Sequence, residues 1–197
     1  MTANCLATHV LSIACFLATG ANLPLPSGAA EGVRLAVKGK SDYVVVEPAA
    51  ATAAERFAVQ ELTMFLRRAT GAAWPVVQEA DFQGGRPALF VGRTAFAGKQ
   101  GIDFGKLSSE EWVIRAAGND LIVAGGRPRG TLYAVYEFLE RQVGVRFLDA
   151  EAEFVPHCPD LTAPADLAVQ AKPAFFRREI FMVAPQQKRH TLFQVRR

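Results

Sequence analysis

The chain has 197 residues, of which 50% are hydrophobic and 21% are charged, and its formal net charge is +3. This composition fits one globular domain with a sizeable core and excludes an intrinsically disordered chain. Nucleic-acid-binding domains concentrate far more positive charge on one face, so we expect no nucleic-acid partner.

The first 30 residues contain no Lys, Arg, Asp or Glu. Within them, residues 10–18 form an apolar run (VLSIACFLA), which is followed by prolines and then by small residues up to Ala30. This pattern predicts a secretory signal peptide over residues 1–30, and the apolar run is too short for a stable membrane span. We therefore expect a secreted or periplasmic protein, with a buried N-terminal helix as the alternative.

Two β-rich stretches follow, at residues 33–37 (VRLAV) and 42–47 (DYVVVE). Alternation in the first and β-branched residues in the second predict strands. A turn at residues 39–41 separates them, so we expect them to pair as a hairpin.

A helix is predicted over residues 52–69, because Thr52 and Glu55 match the capping box and Gly71 supplies a C-terminal stop. Its apolar residues recur every three or four positions and form one stripe. The members of this stripe are Ala54, Ala58, Leu62, Phe65, Leu66 and Ala69.

The middle of the chain predicts further strands. Residues 88–91 (ALFV) suit a central strand that is buried on both faces. Residues 111–116 and 121–124 flank a Gly-Asn turn and predict a hairpin. A second helix is expected over residues 131–141, and a last strand over residues 145–148.

This order of elements predicts an α/β fold: a two-layer domain with a mixed β-sheet and helices on one face, over residues 31–160. Residues 161–172 are rich in Ala and Pro and predict a linker. Residues 173–183 (PAFFRREIFMV) predict the first strand of a new unit.

A glycine-rich turn, GGRPRG at residues 125–130, lies between a predicted strand and a predicted helix. Backbone N–H groups at a helix start attract anions, and Arg127 and Arg129 would add to that attraction. These two arginines are therefore candidate ligands for a phosphate or a uronate carboxylate. The alternative is a tight turn that leaves both side chains in solvent.

No other motif predicts chemistry. Asp149, Glu151 and Glu153 alternate along an extended segment, which favours a solvated face over a catalytic pair. Dinucleotide, nucleoside-triphosphate and metal-ligand spacings are not found in the sequence. We expect no catalytic residue, no metal and no cofactor in this chain.

Four stretches together resemble a known family: residues 52–71 (TAAERFAVQELTMFLRRATG), 89–92 (LFVG), 120–145 (DLIVAGGRPRGTLYAVYEFLERQVGV) and 173–179 (PAFFRRE). They resemble the N-terminal domain of α-glucuronidase-like glycoside hydrolases. The plan is also similar to domain 2 of the β-N-acetylhexosaminidases.

The resemblance implies a small α/β domain packed ahead of a catalytic (β/α)8 barrel. Residues 173–197 would then be the truncated start of that barrel. Arg178 matches an arginine that reaches the sugar in the hexosaminidase-type pattern, although Arg177 replaces the aromatic residue expected before it.

The sequence thus predicts a non-catalytic N-terminal accessory domain of a secreted α-glucuronidase-like glycoside hydrolase that acts on polysaccharide, truncated before the barrel and inactive alone. Its partners would be carbohydrate and a barrel in cis or in trans. One alternative is a stand-alone exported module that binds acidic glycans through Arg127 and Arg129. Another is a structural partner of a separately encoded barrel.

Overall fold

The computed structural model describes residues 32–149 and 151–175. Ten strands and three α-helices follow one another along this part of the chain. They are β1 (Val33–Ala36), β2 (Val44–Glu47), α1 (Ala53–Thr70), β3 (Val76–Gln78), β4 (Ala88–Val91), α2 (Ala95–Lys99), β5 (Trp112–Ala117), β6 (Asp120–Gly125), α3 (Gly130–Phe138), β7 (Arg146–Phe147), β8 (Glu153–Phe154), β9 (Leu161–Ala163) and β10 (Ala168–Ala171).

Six of the strands form the central sheet, in the order β10-β5-β6-β4-β2-β3. The pairings β6-β4, β4-β2 and β2-β3 are parallel, whereas β5 runs antiparallel to both of its neighbours. The sheet is mixed, as predicted. Strand β4 is buried at all four positions, which confirms that it is a central strand.

Helix α1 begins and ends as the sequence predicts. The Thr52 side chain accepts from the Glu55 backbone, and the Glu55 side chain accepts from the Thr52 backbone, so the capping box is complete. Gly71 ends the helix in the left-handed region at φ 76°. A side chain is disfavoured there, which explains why a glycine follows the last turn.

The two long helices lie on one face of the sheet. Phe65 and Leu66 of α1 and Val135 and Phe138 of α3 belong to one buried cluster with Leu121 of β6. Helix α3 continues as a π-helical turn, Leu139–Val143, and ends at Gly144 with φ 88°. The predicted placement of these helices is confirmed.

The opposite face of the sheet has a smaller core. The segment between β4 and β5 contains the short helix α2, whose Ala97 packs against this face with Ile102. Thr94 caps α2 by accepting from the Ala97 backbone.

Two predictions of connectivity are wrong. Strand β1 pairs antiparallel with β9 and not with β2, which lies inside the sheet between β3 and β4. Residues 161–172, predicted as a linker, contain β9 and β10, and Leu161 is completely buried. These two strands pair with β1 and β5 through their backbones. An Ala- and Pro-rich composition therefore does not distinguish them from a linker.

The predicted signal peptide and residues 176–197 lie outside the described residues. Within residues 32–149 and 151–175, we find no helix with the length and apolar character that crossing a membrane requires.

Candidate functional site

The glycine-rich turn at residues 125–130 is packed against the loop that precedes β5. The N–H of Gly126 donates to the Glu111 carbonyl at 2.8 Å, and the N–H of Gly130 donates to the Ser109 carbonyl at 3.1 Å. A Cβ on Gly126 would lie 1.7 Å from the Ser108 carbonyl oxygen. The glycines therefore allow the turn to approach the backbone of residues 108–111 closely. The N–H groups of Gly126 and Gly130 donate to carbonyl groups of that segment and not to a ligand.

Arg127 leaves this turn and forms an ion pair with Glu55. Its Nη2 lies 2.9 Å from Glu55 Oε2, and its Nε donates to Oε1 at 3.3 Å. Nη2 also donates to the Ala50 carbonyl at 2.9 Å. The pair joins the turn before α3 to the start of α1.

The Glu55 side chain is 1% exposed, and backbone N–H groups complete its contacts. Thr52 donates to Oε2 at 2.8 Å and Arg93 donates to Oε1 at 3.3 Å. Burial raises the pKa of Glu55, but hydrogen bonds from Thr52 and Arg127 outweigh it and hold the pKa below its ordinary value. The carboxylate is ionised at neutral pH and neutralises Arg127.

Arg129 is the more exposed of the two arginines, with 58% of its side chain accessible. Its Nη2 lies 3.2 Å from Glu110 Oε1, which also accepts from the Tyr133 hydroxyl at 3.3 Å. Arg127 and Arg129 thus belong to separate ion pairs. A role for either in substrate binding stays a prediction, and Arg178 lies outside the described residues.

The acidic residues that follow α3 have partners in the local structure. Asp149 accepts the backbone N–H groups of Glu151 and Ala152, and these bonds lower its pKa. Glu153 forms an ion pair with Arg68 of α1. In the part of the chain that the structure describes, no group of three or more His, Cys, Asp or Glu residues could hold a metal ion.

A groove of about 540 Å³ on the face opposite α1 and α3 is the feature that sequence reasoning missed. It lies between residues 79–86 and α2. Phe82, Phe90 and Phe96 line it. The rings of Phe90 and Phe96 stack at 4.0 Å, and Phe82 meets Phe90 edge-on at 5.6 Å. We call this feature the aromatic groove.

Charged side chains also line the aromatic groove. Arg86 and Lys99 are exposed, and Glu79 and Asp120 are partly buried. Burial raises the pKa of Asp120. The Gly84-Gly85 pair before Arg86 is the available sequence signal, but several separate segments build the groove and no spacing pattern connects them.

No family model and no curated protein matches this chain. Among solved structures, it is similar to a family GH115 4-O-methyl-α-glucuronidase with specificity for decorated arabinogalactans, at a TM-score of 0.51 and 15% identity. That match covers 72% of this chain and 18% of the enzyme's chain. A GH138 enzyme targeting pectin rhamnogalacturonan II matches over 50% of this chain and 10% of its own, at a TM-score of 0.35 and 19% identity.

The GH115 match shows that this chain shares a fold with part of a glycoside hydrolase. This match covers under a fifth of the length of that enzyme, so the similarity concerns only a part of it.

Proposed function

We propose that this chain supplies a non-catalytic accessory domain to a glycoside hydrolase that acts on polysaccharide. The domain would lie beside a (β/α)8 barrel, either in the same polypeptide or in a separate polypeptide encoded at the same locus. The observation that carries the proposal is the fold similarity, over 72% of this chain, to a segment of a 4-O-methyl-α-glucuronidase.

The positions of the buried carboxylates support a structural role for the domain. Glycoside hydrolysis usually requires two carboxyl groups on either side of the sugar bond. Glu55 is held by Arg127, and Glu61, which is 6% exposed, accepts the Tyr136 hydroxyl at 2.8 Å. Both carboxylates join α1 to the region of α3 inside the domain, where a polysaccharide cannot reach them.

The glycan and the compartment are part of the same proposal. The GH115 enzyme is a 4-O-methyl-α-glucuronidase with specificity for decorated arabinogalactans. By analogy, we propose a uronate-bearing polysaccharide as the target of the parent enzyme. The charge-free apolar start of the chain supports export, because secretory signals have that pattern.

A hydrolysis assay tests this proposal. The purified chain would be incubated with glucuronate-bearing polysaccharide, alone and together with a barrel polypeptide encoded beside it. We expect glucuronate release only when the barrel is present, and a more stable or more soluble barrel when the domain accompanies it. Glucuronate release by the chain alone would contradict a non-catalytic role. A barrel whose stability and solubility are the same with and without the domain would contradict an accessory role.

A further inference from the structure

The aromatic groove has the size and lining of a small-molecule site. Binding sites for small ligands are concave and mostly apolar, with a few polar groups that set orientation, and they typically hold about 300–1,000 Å³. The groove holds about 540 Å³, and partly exposed rings of Phe82 and Phe96 border it. The apolar face of a pyranose ring fits such a surface.

The carboxylates in the groove are already satisfied by backbone donors. The two oxygens of Glu79 accept the N–H groups of Ala95 and Phe96 at 2.9 Å each, at the start of α2. Asp120 Oδ1 accepts the Ala88 N–H at 2.8 Å. Backbone amides therefore offset part of the negative charge.

The two cations in the groove, Arg86 and Lys99, form no ion pair within residues 32–149 and 151–175. Arg86 uses Nε to donate to the Asp42 carbonyl at 3.0 Å, and its terminal nitrogens have no partner among residues 32–149 and 151–175. Lys99 forms no ion pair within that same part of the chain, whereas Arg127 and Arg129 do. The groove thus offers positive charge to a ligand that brings a carboxylate.

We propose that the aromatic groove binds a uronic acid residue of an acidic glycan. The sugar ring lies against Phe82 and Phe96, and the uronate carboxylate pairs with Arg86, whose planar guanidinium suits a two-point contact. Lys99 adds charge to the same groove. The choice of a sugar as ligand rests on the proposed function, whereas the choice of an acidic sugar rests on two cations that form no ion pair with the described residues.

The test is an NMR titration of the full chain with D-glucuronate, D-glucose and inorganic phosphate. We expect glucuronate to shift the amide signals of Gly84, Gly85 and Lys99 to saturation, and glucose and phosphate to bind at least tenfold more weakly. Replacing both cations, R86Q with K99Q, should weaken glucuronate binding at least tenfold.

A matched control removes the same charge from another surface, R34Q with K40Q, and should leave glucuronate affinity unchanged. Both positions are exposed. Equal binding of glucose, equal binding of phosphate, or an unaffected R86Q/K99Q variant would each overturn the assignment. None of these outcomes would bear on whether the domain supports a barrel, which the hydrolysis assay decides separately.

Discussion

Replacing Arg127 with alanine should destabilise the domain, because it leaves Glu55 ionised and buried without its main partner. Removing one member of a fully buried ion pair costs about 3–5 kcal/mol. Arg127 is 35% exposed, and Glu55 keeps two backbone donors, Thr52 and Arg93. We therefore expect a loss of about 2–3 kcal/mol in the free energy of unfolding.

Circular dichroism during thermal unfolding measures this loss. A chain of this size loses about 2–4 °C of Tm per kcal/mol, so R127A should unfold about 4–12 °C below the wild type. R129A is the matched control, because Arg129 pairs with Glu110 at the surface and its loss should cost under about 1 kcal/mol.

Lowering the pH supplies the refuting test. The depressed pKa of Glu55 stabilises the wild type above about pH 4.3, the ordinary glutamate value, and that stability is lost as the pH falls through the folded pKa. In R127A one of the interactions that lower the pKa of Glu55 is lost, so Glu55 should become protonated at a higher pH in the variant than in the wild type. The difference in Tm between the wild type and R127A should therefore be smaller at pH 4 than at pH 7. A difference in Tm that does not change with pH, or equal losses of Tm in R127A and R129A, would refute the ion pair between Arg127 and Glu55.

Two further perturbations test the packing around the sheet. G126A should abolish stable folding, because the added Cβ would lie 1.7 Å from the Ser108 carbonyl oxygen. Urea unfolding measures this effect, and the control is G98A, which has open space around it and should be neutral or slightly stabilising. A tolerated G126A would contradict the close approach. Burial and nearby Asp120 raise the pKa of Tyr43 to about 12. Because the unfolded tyrosine ionises near pH 10, stability should fall as pH rises from about 10 to 12, and Y43F should flatten that fall. An ultraviolet titration midpoint for Tyr43 near its ordinary value would contradict this prediction.

Features set by neighbouring residues could be predicted from the sequence. The capping box at Thr52 and the stop at Gly71 fix α1 locally, and the turn at Gly118 fixes the hairpin of β5 and β6. The all-apolar run of β4 identified a central strand because such a run needs neighbours on both sides.

Features that depend on distant pairing could not be predicted. Strand β1 pairs with β9, which lies more than 100 residues later in the sequence. Strand β2 instead pairs in parallel with β3 and β4 in the central sheet. The aromatic groove requires residues 79–86, α2 and the start of β6 together. Likewise, nothing in the GGRPRG turn indicates that Arg127 turns back to Glu55, 72 residues earlier.

Sequencing the source DNA around this reading frame tests whether a catalytic barrel accompanies the domain. A barrel has about 250 residues, so about one kilobase in every frame is sufficient. We expect a continuing or neighbouring reading frame that encodes alternating strands and helices, with paired carboxylates at the ends of the strands. A locus with no such frame beside this one would contradict it.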